Sequence, residues 1–356
     1  MGWVVDGLLN AARMAWEVWW ALVLGFVLSA VVQARVPRAR IEHALGGRGP
    51  RELTFATVLG AASSSCSYAA IAIAKSLFAK GASFASAMAF QFASTNLVFE
   101  LGLVIWILLG WQFTLAEFVG GIVLIVLLSL ALRVVFSRRE EEDARAHAAS
   151  AEAGHAHSSD NDIAANFAMD ITMLWKELIL GFLIAGYVSL LPTGFFNALF
   201  ITDAPAPLRT LENAIVGPIV AVLSFVCSIG NIPLAAVLWS GGISFGGVIA
   251  FIFADLIIIP IISAYRKYYG TRFALKLTAV MFGCMVVAAL IVDGAFSLAG
   301  LVPTHRPPIE SITERAVTWN YTTFLDIAAT VVFVVLMALA PRDPHAHHHH
   351  HHEAHA

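Results

Sequence analysis

Charge is what this sequence has least of. Asp, Glu, Lys and Arg make up 13% of its 356 residues, against 59% hydrophobic residues, whereas a soluble domain carries about 25% charge. With a mean hydropathy of +0.80, no water-soluble fold of this length could hide its apolar surface. The chain is therefore expected to be an all-α polytopic membrane protein, with the lipid bilayer as its first partner and no nucleic acid among the others. Cysteine is scarce too: there are three, all in apolar stretches, so a disulfide framework is excluded. A dinucleotide fingerprint, a P-loop and an HExxH motif are all missing, which argues against an ATP-driven pump, a standard metalloprotease and a bound cofactor. No histidine lies in a hydrophobic span, so a cysteine nucleophile would lack a base, and an enzyme is not expected. Nor is a cleavable leader, since residues 1–14 include Asp6 and Arg13.

What the sequence does have is a duplication. Cys66–Phe99 (CSYAAIAIAKSLFAKGASFASAMAFQFASTNLVF) and Cys227–Pro260 (CSIGNIPLAAVLWSGGISFGGVIAFIFADLIIIP) match without a gap at 12 of 34 positions, 161 residues apart. Shared Ala and Phe mean little in so apolar a chain. The paired Cys-Ser (66–67, 227–228) and Gly-x-Ser-Phe (81–84, 242–245) mean more, and they mark an internal repeat.

Full spans are expected at 15–34, 83–110, 114–136, 173–191, 244–264, 273–292 and 322–340. Two stretches are broken by small polar residues at mid-length: 54–67 with 69–80, and 212–226 with 230–240. Each piece is too short to cross, so each pair is expected to be a re-entrant hairpin. With two hairpins, 17 of the 21 Lys and Arg fall on the cytoplasmic side; a single crossing at either break would place Arg133, Arg138 and Arg139, or Arg266 and Lys267, outside. The hairpins then enter from opposite faces, so the repeat is expected to have inverted topology, with about seven full transmembrane helices. The division that follows is a first membrane repeat (1–136), a hydrophilic cytoplasmic linker (137–169), a second repeat (170–292), an extracytoplasmic loop (293–320), a last span (321–341) and a His-rich cytoplasmic tail (342–356).

Opposed hairpins would bring their tips together. One tip offers Ser65, Cys66, Ser67 and Tyr68, with Ser63 and Ser64; the other offers Cys227, Ser228, Gly230, Asn231 and Pro233, with Ser224. Helix N-termini aimed at that centre would favour an anion or polar solute, and a thiol favours soft partners; each Cys could equally be a small residue filling a tight hairpin. Asp255 lies mid-span, where an acid costs roughly 2.5–3.5 kcal/mol, so proton coupling is expected there, with Glu100 as a second candidate. Gln91, Thr95 and Asn96 could line the cavity or hydrogen-bond between helices. His147, His155 and His157 in the linker and His347 in the tail are candidate metal ligands, or simply solvated tracts.

The second-half motif, followed by Tyr265-Arg266-Lys267-Tyr268-Tyr269-Gly270 and by WNYTTF at Trp319–Phe324, resembles the YraQ-type permeases, which include ArsP-type exporters of trivalent organoarsenicals. The resemblance covers nearly the whole chain. It implies an inner-membrane permease working without ATP hydrolysis, with Cys227, Ser228, Gly230, Asn231, Pro233 and Asp255 at matching positions. The first half departs from the pattern: Ser64-Ser65-Cys66-Ser67 and Ala72 stand where related permeases have a Cys-x-Cys-like tip and a proline. The expected function is a secondary transporter, exporting a small solute such as a thiophilic metalloid. A channel, a transporter of another anion, metabolite or metal ion, a thiol-dependent membrane enzyme and a metal-sensing scaffold are the alternatives; oligomeric state is open.

Overall fold

In the computed structural model the described residues are 2–35, 38–63, 67–153, 163–188, 190, 199–201, 205–224, 228–304, 306 and 321–340. Among them there is no strand. The helices are α1 (Gly2–Arg35), α2 (Arg38–Leu45), α3 (Pro50–Ser63), α4 (Ser67–Ala79), α5 (Phe84–Asn96), α6 (Phe99–Leu109), α7 (Trp111–Val135) and α8 (Arg138–Ala153). They continue with α9 (Ile163–Val188), α10 (Ala206–Ser224), α11 (Ser228–Ser240), α12 (Phe245–Phe253), α13 (Ile259–Tyr269), α14 (Thr271–Leu298) and α15 (Tyr321–Leu339), with a 3₁₀ turn, Ala254–Ile257, between α12 and α13.

The repeated Gly-x-Ser-Phe builds the same corner twice. Gly81 and Gly242 take φ of +108° and +105°, a conformation that costs glycine little and closes a helix end. At the first corner the Gly81 N–H donates to the Phe78 carbonyl and Ala82 to Leu77; at the second, Gly242 donates to Trp239 and Ile243 to Leu238. Ser83 then caps α5 by accepting from the Ser86 N–H, and Ser244 caps α12 by accepting from Gly247.

The breaks expected from small polar residues fall at 64–66, between α3 and α4, and at 225–227, between α10 and α11, outside the described residues. Three expectations need correcting. The span expected at 83–110 is two helices meeting at a 46° bend, and that at 244–264 is bent by 42°. Pro260, with no N–H to give, sits in the first turn of α13 and helps restart the helix there. The piece expected to be too short at 212–226 is the 19-residue α10, long and apolar enough to cross a membrane. Its internal Pro218 does not end it. With α7 and α14, that gives three such helices among the described residues, or five if each bent pair is one span, against the seven expected.

Burial runs inside out relative to a soluble protein only at the surface. Helices α4, α5 and α12 are buried along their whole length. Outer helices present apolar stripes instead: Leu208, Leu211, Ile215, Ile219 and Leu223 on α10, and Val119, Ile122, Val126, Leu130 and Val134 on α7. Spaced three or four residues apart, these form continuous faces suited to lipid tails. The repeated corners thus sit within a helical core wrapped by helices with apolar outer faces.

Candidate transport site

Ser67 and Ser228 are the first described residues of α4 and α11. Their hydroxyl oxygens lie 3.0 Å apart although 161 residues separate them in sequence. Both donate to the same acceptor, Asp255 Oδ2: Ser67 at 3.0 Å and Ser228 more closely. Asp255 is fully buried in the 3₁₀ turn. That turn breaks the helix, and the break lets a polar side chain sit where a continuous apolar helix would not hold it. The other carboxylate oxygen, Oδ1, has no hydrogen-bond partner.

The remaining candidates divide. Asn231, one turn beyond Ser228, is fully buried with both amide atoms unpaired. Gln91 donates to the Tyr265 hydroxyl at 2.6 Å and leaves its own carbonyl oxygen unpaired. Asn96 ends α5 at the bend and accepts from Thr95 at 2.6 Å. Tyr68 is buried beside Ser67 in α4, and Gly230 falls in the first turn of α11. Pro233 is the sixth residue of α11. Ser63 and Ser224 turn back onto the carbonyls of Gly60 and Ala221. Ser64, Ser65, Cys66, Cys227, His155, His157 and His347 lie outside the described residues, as does the side chain of Glu100.

Two equivalent serines of one duplicated sequence thus converge on a buried acid that keeps one carboxylate oxygen unpaired. A family profile described as "Predicted permease" (ArsP_1) matches residues 8–294. The chain belongs to this permease family. The permease is also 45% identical over 325 residues, 85% of its own length and 79% of the relative's, to the Mycobacterium tuberculosis (strain ATCC 25618 / H37Rv) protein named "Putative permease Rv2963". No solved structure matches it. It is a multi-pass membrane protein, and the family points to a transporter rather than an enzyme.

Two features of the permease were not singled out from the sequence. Lys75, one face of α4, is fully buried and pairs with the equally buried Asp170 of α9 at 3.3 Å. Asp170 also accepts from Ser29 of α1 at 2.7 Å, and the Lys75 ammonium lies 5.2 Å from the Tyr268 ring centre. Glu117 of α7 is the second: it is fully buried, and neither carboxylate oxygen makes a well-formed hydrogen bond. The rule that marks Asp255, an acid inside an apolar span, marks Glu117 as well.

The two repeated corners carry a matched pair of arginines. Arg145 donates to the carbonyls of Phe78 and Ala82 and lies 4.3 Å from the Phe78 ring centre. Arg306 donates to the Trp239 carbonyl and lies 4.0 Å from the Trp239 ring centre. Arg145 and Arg306 are 161 residues apart, as are Phe78 and Trp239. Each guanidinium is a second donor to a helix C-terminal carbonyl that already accepts from the corner glycine, and it stacks on an aromatic face.

Arg145 belongs to α8, so the first part of the expected linker is a docked helix. Its own Ala144 and Ala148 are buried. Glu141 pairs with Arg48, and Glu140 with Lys276 at 2.7 Å. The Lys276 ammonium, followed by the Ser137 N–H and hydroxyl, holds the Glu140 carboxyl down at about 2. The His147 Nε2 meets the Lys267 carbonyl at 3.1 Å, and no cluster of metal-binding side chains occurs among the described residues.

Proposed function

We propose that this permease is a secondary transporter of the inner membrane, carrying a small solute past Ser67, Ser228 and Asp255 between two hairpins that enter from opposite faces. The observation that carries this is the meeting of repeat-equivalent serines on one buried carboxylate. A structural polar contact needs no such symmetry, whereas a transporter that exposes one site alternately to two sides does. The paired corners at Gly81 and Gly242, and the paired Arg145 and Arg306, support a two-fold repeat in the same register. Arg145 on a cytoplasmic helix and Arg306 on an extracytoplasmic loop would then hold the two hairpin bases, each closing one side.

Cys66 and Cys227 adjoin the two serines in sequence, so a thiophilic solute such as a trivalent organoarsenical is the first substrate to test, moving outwards. Proton coupling falls to Asp255, which is held by hydroxyls and not by a cation. The central linker and the C-terminus face the cytoplasm. In inverted vesicles, uptake of a methylated trivalent arsenical is expected to follow the proton gradient. Asp255→Asn should remove that dependence, and Cys227→Ala should reduce flux without altering insertion. Flux that persists unchanged in both variants would reject this site. A screen of metal ions and small anions in the same vesicles decides the substrate class, and gradient-independent flux would identify a channel.

A further inference from the structure

Beyond the end of α7 the chain frames a cavity of about 470 Å³, within the roughly 300–1,000 Å³ of small-ligand pockets. One wall is a face of α8. Its residues Arg138, Glu141, Glu142 and Arg145 recur at the three- and four-residue steps that share a helix face. Gly46 and Arg48, in the turn between α2 and α3, and Ser83 of the first repeated corner complete the lining. These parts are tied to one another. The Ser83 N–H donates to the Leu45 carbonyl at 2.8 Å. The Arg133 guanidinium, in the last turn of α7, donates to the Arg48 carbonyl.

Most of the charge around the cavity is committed. Arg145 has both terminal nitrogens on the carbonyls of Phe78 and Ala82. Glu141 pairs with Arg48. The side chains of Glu42 and Glu52 lie against Gly81 and Gly47 and do not line the cavity. Arg138 and Glu142 are left. Both are exposed and both line the cavity, and neither side chain makes an ion pair or a hydrogen bond among the described residues. They stand one turn apart on the same helix, yet they do not pair with each other. An arginine ahead of a glutamate is the less favourable order for such a pair.

An occupant that satisfies this lining carries an anion and a cation a short spacer apart. A lone anion would meet Glu142, and a lone cation would meet Arg138. A guanidinium suits a phosphate, and a carboxylate accepts well from a primary ammonium with its three N–H donors. The neighbouring surface says where such a molecule comes from. The apolar stripe of α7 is exposed at Val126, Leu130 and Val134. Arg133, one turn on from Leu130, is the residue that reaches Arg48. Lipid tails laid on that stripe would bring their headgroup to the cavity. We infer that the cavity binds the headgroup of phosphatidylethanolamine, with its phosphate on Arg138 and its ammonium on Glu142. A headgroup held there bears on α8, the helix whose Arg145 holds the first repeated corner. The site uses no step of the transport reading.

The test is native mass spectrometry of the purified full-length protein in detergent. Phosphatidylethanolamine, phosphatidylglycerol and phosphatidylcholine with identical acyl chains are added in turn. Phosphatidylethanolamine is expected to be retained best, since phosphatidylglycerol brings no cation and the methylated ammonium of phosphatidylcholine has no N–H to donate. Glu142→Gln should bring the ethanolamine lipid down to the level of the choline lipid, a loss of about two- to fivefold, the worth of one exposed ion pair. Arg138→Gln should lower the retention of all three. Arg138→Lys and Glu142→Asp, which keep the charges, should keep the preference. Equal retention of the three lipids by the wild type, a preference for phosphatidylglycerol, or wild-type retention in Glu142→Gln or Arg138→Gln overturns the proposal. So does displacement of the lipid by an equal concentration of glycerophosphoethanolamine, which would make the occupant a solute and not a lipid.

Discussion

Replacing Lys75 by Met tests the largest electrostatic commitment in the described structure. Met keeps most of the volume and the apolar stem, so what is lost is the ammonium. Lys75 is 1% exposed and Asp170 0%, and their contact is supported by Ser29 at 2.7 Å. Removing one partner of a buried pair strands the other charge and costs about 3–5 kcal/mol, while the pair's net worth over an apolar replacement is far smaller. The cation–ring contact with Tyr268 adds about 0.5–2 kcal/mol of loss. At about 2 °C per kcal/mol for a chain of this size, the combined loss of about 3.5–7 kcal/mol in Lys75→Met should lower Tm by about 7–14 °C. Asp170→Asn should cost less, because the amide still accepts from Ser29. The decisive variant is Lys75→Met with Asp170→Asn, which removes both charges and should recover at least about 2 kcal/mol relative to the sum of the singles. Thermal size-exclusion profiles of a fluorescent fusion in detergent give the three values without a thiol dye, which the buried Cys284 would complicate. If the single losses simply add, the two charges do not compensate one another and the reasoning fails.

The remaining expectations concern topology and the two repeated corners. Cysteines introduced at Lys80 and Ser240, the equivalent corners, should be labelled by an impermeant maleimide from opposite sides of the membrane; labelling from one side only would remove the inverted repeat. Arg145→Lys and Arg306→Lys should each destabilise their own corner by about 1–2 kcal/mol, since Lys cannot reproduce the planar fork or the stacking, and labelling rates at Lys80 and Ser240 respectively should rise. Glu140 lies below its ordinary value of 4.5 in the folded state, so its bond to Lys276 stabilises the docked α8 fully above that value and is lost as pH falls towards about 2. Because the pair is half exposed, hydrogen exchange in α8 should rise only slightly over that window, and Glu140→Gln should abolish the change.

Residue patterns settled a good deal of this protein. The scarcity of charge required a membrane, since nothing else can solvate so much apolar surface. The register of 161 residues was legible because corners need particular residues: a glycine for positive φ and a serine to cap the next helix. Asp255 was legible because an acid in an apolar run is costly and so stands out. Other matters only the folded chain could decide. Helix bends at 96–99 and 254–258 arise where packing makes room for a polar side chain, and apolar runs of adequate length conceal them. Whether Lys75 belonged to the surface or the interior depended on Asp170, 95 residues away, and no local pattern carries such a partner. That Glu117 is fully buried with neither oxygen well bonded showed only in the fold, because an apolar run does not say which of its faces meets lipid. The meeting of Ser67 with Ser228 is of the same kind: sequence supplies two like tips, and only tertiary packing places them on one carboxylate.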